Sequence, residues 1–192
     1  MRKAKKFLAS ASRGFHRPRM QWNDTFTALF ERCVTGYREG NFDYNSDYSA
    51  DDLKFLQSIG YKKRELFDFV EDYVDGGEPS ATTALLVAAV RRDYFLVEQE
   101  GKPSDTVVTM DDLPSFGEEL NGISYLPRIL KKARAKLRGE LDPEVMFGCG
   151  GDRNFLAKNG NLHPADFLRH VWAAGNDDSK VAEWIQADKV AA

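Results

Sequence analysis

Apolar residues recur at helical spacing along most of the chain. Phe26, Leu29, Phe30, Cys33 and Tyr37 fall at i, i+3, i+4, i+7 and i+11, the stripe of an amphipathic helix predicted from about Asp24, as its N-cap, to Glu39 before Gly40. After a Tyr/Asn/Asp-rich loop, Ser49 followed three residues later by Asp52 predicts a capped short helix that Gly60 closes. A longer helix is expected over residues 62–75, turning Leu66, Phe67, Val70, Tyr73 and Val74 inward, with Gly76-Gly77 at its end. Pro79-Ser80 then opens the most apolar stretch, ATTALLVAAVRRDYFLVEQ, whose lack of a polar face predicts a central helix.

Residues 100–124 break the periodicity. They mix Gly, Pro, Ser and Asp with one β-favouring run, Thr106 to Met110, and read as a linker holding at most one short edge strand. Helical spacing resumes with Pro127 in a first turn, where its missing N–H costs nothing, and runs to about Arg138 before Gly139. Gly148, Gly150 and Gly151 predict a turn into a helix starting near Asp152 and ending at Gly160. Pro164 starts the next helix, Gly175 ends it, and Asp177 or Asp178 caps a last one carrying Val181, Trp184 and Ile185.

The second run of helices echoes the first at an offset of 100 residues. Leu126, Ile129, Leu130, Ala133 and Leu137 repeat the first stripe, and Arg38, Asp52, Phe55-Leu56, Gly60 and Phe67 recur as Arg138, Asp152, Phe155-Leu156, Gly160 and Phe167. Two readings stay open, an internal duplication or two similar helical hairpins, since any amphipathic helix carries such a stripe. The expected fold is mostly α, with two similar helical halves packed together. The expected organisation is a basic arm over 1–22, a first half over 23–99, a linker over 100–123 and a second half over 124–192.

Charge separates the arm from the rest. Seven of the 27 Lys and Arg lie in residues 1–20, which hold no Asp or Glu, so the 30 acidic residues face 20 basic ones over the remainder. The arm reads as a solvated tail, a transit peptide, or a tether to nucleic acid or an anionic surface. The acidic body argues against a folded phosphate-gripping surface. The helix pair around Gly60 looks like a helix-turn-helix, but its second helix carries Glu65, Asp68, Glu71, Asp72 and Asp75. No stretch nears the ~18 consecutive apolar residues of a membrane span. Two cysteines without metal-type spacing imply a reduced, cytoplasmic setting, or an organelle if the arm is a transit peptide.

Three segments, YLPRILKKARAKLRG, CGGDRNFL and DDSKVAEWI, resemble the bacterial family catalogued as domain of unknown function 5069, and DDLKFLQSIGYKKRELFDFVEDYVDGGEPSATTALLVAAVRRDYFL resembles its longer members. The resemblance spans roughly residues 25–190 and brings no mechanism with it. The matching places are Leu126-Pro127-Arg128, Cys149 with Asp152, and Trp184. Lys131 stands where the family usually has Asp or Glu, and Gly150-Gly151 where it usually has Pro-Leu, so neither a charge pairing nor a loop shape is carried over.

Polar groups confined to one copy are the better candidates for chemistry. The candidates in the second half are Tyr125, Arg128, Cys149, Asp152 and Arg153; Ala28 and Ser49 stand opposite Arg128 and Cys149, whereas Asp152 is matched by Asp52. Cys149 lies near a predicted helix N-terminus, where backbone N–H groups favour a thiolate, and Cys149 with Asp152 forms the candidate catalytic pair. A nucleophilic cysteine needs a base, for which His163 and His170 are the candidates. The other reading is a small buried cysteine in a sharp turn, the common environment of free cysteines.

Arg91 and Arg92 end the most apolar helix, where cations suit the dipole; a functional reading has one of them face a pocket and grip a carboxylate or phosphate. His163, Asp166 and His170 share a helix side, but no further ligand cluster lies nearby and no metal is expected; His163 reads as a cap. Phosphate loops, GxSxG, HExxH and dinucleotide fingerprints are absent. Two function classes remain. One is a protein binding a small anionic molecule at the second half or the seam, through Arg128, Asp152, Tyr125, Arg153, Arg91, Arg92 and His163, with a cysteine-dependent activity. The other is a non-catalytic helical protein-interaction module, in which these side chains pair with one another or cap helices.

Overall fold

Where the chain places caps decides where its helices begin. The computed structural model describes residues 21–46 and 48–191, with side chains described as far as residue 187; the basic arm and every expectation placed on residues 1–20 lie outside the described residues. Helix α1 (Trp22–Arg38) starts from Gln21, and Asp24 sits in the first turn instead of capping it. An acid in that position still complements the positive helix end. Helix α2 (Ala50–Ser58) has the expected capping box: Ser49 Oγ accepts from the Asp52 N–H, and the Asp52 carboxylate accepts from the Ser49 N–H. Helix α3 (Lys63–Gly76) ends on Gly77 in the left-handed region, and α4 (Ala81–Val97) starts from Ser80.

The second set follows with α5 (Leu126–Arg138), α6 (Gly150–Lys158), α7 (Pro164–Ala174) and α8 (Asp178–Ala191). Helix α6 begins at Gly150, two residues before the expected start. Cys149 is therefore its N-cap, although its sulfur accepts no capping hydrogen bond. His163 caps α7, its Nδ1 accepting from the Ala165 N–H.

The fold is mostly α, as the periodicity predicts, and α4 packs against α1, α3, α5 and α7. One buried cluster runs through the molecule, from Phe26, Leu29 and Phe30 through Val87 and Ala88 to Ile129, Leu130, Phe167 and Leu168. The positions paired at the 100-residue offset occupy matching places. Helices α2 and α6 begin at residues 50 and 150, Ser49 and Cys149 are their N-caps, and Phe67 and Phe167 are both buried.

Residues 100–124 depart from the expectation in detail. Of the run Thr106 to Met110, Val108 alone pairs, in an isolated parallel bridge to Leu141, because the chain turns at once into the 3-10 helix Met110–Asp112. The strand pair forms further on, as the two-residue β1 (Glu119–Leu120) and β2 (Ile123–Ser124), so the segment holds two short strands where at most one was expected. Their turn, Asn121-Gly122, has φ of 51° and 74°. Positive φ at both turn residues is the two-residue hairpin geometry that Asn-Gly favours.

Candidate functional site

Four side chains from three parts of the second half meet around Asp152. Tyr125 ends the loop after β2 with φ of 72°, Lys132 lies two turns into α5, and Cys149 and Asp152 flank the start of α6. Asp152 is 0 % exposed and its carboxylate is fully occupied. Oδ2 accepts from Lys132 Nζ (2.6 Å) and the Gly148 N–H (2.8 Å), and Oδ1 accepts from the Tyr125 hydroxyl (2.8 Å). Lys132 Nζ also donates to Cys149 Sγ at 3.3 Å. Burial, with the Asp152 charge beside it, pushes the Tyr125 phenol well above its ordinary pKa. Tyr125 therefore serves as a donor to the carboxylate rather than as a base.

Lys132 was not singled out from the sequence. Its signal lay in the echo: Arg32 and Asp52 form an ion pair at 2.7 Å, and Lys132 and Asp152 form the counterpart exactly 100 residues on.

The other candidates have separate partners. Arg128 donates to the Pro114 carbonyl (2.8 Å) and stacks over the Phe116 ring at 4.2 Å. Arg153 bridges the halves by donating to Asp72 (2.6 Å) and to the Gly148 carbonyl (2.7 Å). His163 caps α7 and lies 3.4 Å from the Thr83 hydroxyl, while His170 stacks on Trp184. The histidines thus have partners of their own, and the basic group beside Cys149 is Lys132. Among the described residues there is no group of three or more His, Cys, Asp or Glu able to hold a metal ion. No helix among them is long and apolar enough to cross a membrane.

Arg91 and Arg92 diverge, as successive helical positions about 100° apart must. Arg92 sits over the Trp22 ring and pairs with Asp93 at 3.0 Å. Arg91 is only 2 % exposed: its Nη1 donates to Gln99 Oε1 (2.8 Å), its guanidinium lies over the Phe95 ring, and its Nε has no partner. Burial lowers its pKa from the ordinary arginine value, opposed chiefly by the charge of Glu65.

Arg91 opens onto a cavity of about 550 Å³ between α2, the start of α3, the end of α4 and the C-terminus of α5. Apolar walls come from Leu53, Leu56, Phe95, Leu96 and Pro103, and cations from Lys62, Lys63, Arg91 and Arg138. Among the described residues the lining contains no Asp or Glu. Lys62 Nζ donates to the Leu141 carbonyl and Lys63 Nζ to Asn45 Oδ1, both neutral acceptors, and neither forms a salt bridge among the described residues. Tyr61 also lines the cavity; it is 4 % exposed and its hydroxyl has no partner. Two glycines make the room. A β-carbon on Gly60 (φ 65°) would overlap Phe95, and one on Gly139 (φ 70°) would overlap the Arg91 guanidinium.

Behind this floor lies a buried charge network. Lys136, 1 % exposed, pairs with Glu65 at 3.1 Å and sits 4.1 Å from the centre of the Tyr61 ring, while Arg64 pairs with Asp68 at 2.8 Å. Desolvation lowers the Lys136 pKa and raises that of Asp68 to about 7, against the pull of Arg64 and Lys136.

Residues 111–191 match the family model described as Domain of unknown function (DUF5069). The chain resembles that family over this stretch, which runs from the 3-10 turn through α8. No curated protein and no solved structure matches the chain. The DUF5069 match takes in Tyr125, Lys132, Cys149 and Asp152, and of the cavity it takes in Arg138 and Gly139. Tyr61, Lys62, Lys63 and Arg91 lie outside it.

Proposed function

We propose that the protein binds a small organic anion in the cavity at the seam between the first and second helical halves. The observation that carries this reading is, among the described residues, a lining of four cations without an acid, set in a chain with an excess of acidic residues, with two buried donors lacking acceptors. A buried donor without a partner costs about 1–3 kcal/mol, so an acceptor brought by a ligand stabilises donors that the protein itself leaves unpaired. A volume of about 550 Å³ suits a ligand of small-metabolite size. The cluster around Asp152 has the character of a structural tie, because its carboxylate is saturated by three donors and joins the loop after β2 to α5 and α6.

Titration with anilinonaphthalene sulfonate, a fluorescent organic anion, tests this reading. The expected result is saturable binding of one dye per chain, weakened about tenfold by Arg91→Gln through loss of a charge-assisted bond. Arg138→Ala, on a side chain half open to solvent, is expected to weaken binding a few-fold without disturbing the fold. Absence of saturable binding, or affinity unchanged in both variants, overturns the proposal.

A further inference from the structure

Resting on that reading, we infer that the occupant is an acyl-type monocarboxylate, its head seated on Arg91 Nε and the Tyr61 hydroxyl and its chain lying along Leu53 and Leu96. The head group follows from the floor. Two donors are open there, one cationic and one neutral, and both side chains are buried. Both residues line the same cavity. A carboxylate offers two oxygens to such a pair.

A doubly charged head fits less well. Glu65 acts on both Tyr61 and Arg91, Asp68 acts on Tyr61 and Glu140 acts on Arg91, so a phosphate dianion would face three carboxylates behind the floor. A single negative charge balances Arg91 and meets about half of that repulsion.

The body of the ligand follows from the walls. Leu56 and Phe95 are buried beside the floor, whereas Leu53 and Leu96 line the same cavity with 44 % and 41 % of their surface exposed. An apolar path therefore runs from the donors to solvent, and a straight chain along it covers two exposed leucines. The cations Lys62, Lys63 and Arg138 remain to draw the anion in.

Calorimetric titration with straight-chain carboxylates from butanoate to decanoate tests the assignment, with inorganic phosphate and the matching alcohols as controls. Affinity is expected to rise about three- to fourfold per methylene, and decanol to bind about 100-fold more weakly than decanoate. Tyr61→Phe keeps the ring that packs on Phe26 and Lys136 and removes only the hydroxyl. It should leave the stability of the empty protein unchanged or slightly higher and weaken decanoate about tenfold. Leu96→Gln, a neutral change on an exposed side chain, should reduce the gain from chain length and affect decanoate more than butanoate.

Affinity that is flat from butanoate to decanoate, or phosphate bound as tightly as decanoate, overturns the acyl-carboxylate assignment and leaves the anion site standing. Full decanoate affinity in Tyr61→Phe overturns the placement of the head. If neither the dye nor any carboxylate binds saturably, both the assignment and the function it rests on fall.

Discussion

Asp152 and Arg91 are both buried charges, and they differ in what their neighbours provide. Asp152 accepts from three donors and so holds three segments together, whereas the Arg91 Nε has no partner among the described residues. Asp152→Asn leaves Lys132 buried with no counter-charge, and the expected loss is about 3–5 kcal/mol in urea denaturation. Replacing Lys132 by Met in the same chain is expected to recover part of it, since the orphaned charge is then gone; no recovery would mean that Lys132 is not what Asp152 neutralises. The sequence marked Asp152, Tyr125 and Cys149 as candidates, and these three do meet. Lys132 passed as one more basic residue of an amphipathic helix, because nothing in local spacing tells a solvated lysine from one aimed at a carboxylate 20 residues away.

At the scale of elements, the caps were the most legible part of the chain. Ser49 with Asp52, Gly77 after α3, Ser80 before α4 and Pro127 in α5 are local chemistry, read over four residues or fewer, and the structure places each where that chemistry predicts. Ser49→Ala is expected to cost about 1 kcal/mol and to speed hydrogen exchange within α2, since one orphan N–H loses its acceptor. Cys149→Ala, at the matching place of α6, is expected to cost clearly less on that account because its sulfur caps nothing. Equal losses would contradict the difference in capping. The small elements misled the reading where two local signals competed. Thr106 to Met110 has strand composition but finds one partner position, at Leu141, whereas Asn121-Gly122 carries a hairpin on turn chemistry alone, between strands too short for alternation to register.

Across the whole molecule, the halves are joined by buried charges as well as by the apolar cluster around α4. Glu65, Asp68, Arg64, Arg91 and Lys136 come from α3, α4 and α5, and burial outweighs the ion pairs in setting the Asp68 pKa near 7. A carboxyl raised in this way in the folded state binds protons between pH 4 and 7 that the unfolded chain releases, so it stabilises the fold below about pH 4. That contribution is lost as pH rises through 7. Urea midpoints measured from pH 4 to 8 should therefore fall more in the wild type than in Asp68→Asn, and parallel curves would remove Asp68 as the cause. The family resemblance divides along the same seam: the DUF5069 match covers residues 111–191, while the likeness read in the first half lies outside the matched residues. The sequence by itself determined the helices, most of their ends and the mostly α class, because apolar periodicity and capping act within one or two turns. Only the tertiary structure decided which of Arg91 and Arg92 turns inward, and that Tyr61, Arg91 and Gly139 share one cavity wall. Those residues lie 30 to 78 positions apart. Their surroundings are set by how α3, α4 and α5 pack, which no local pattern encodes.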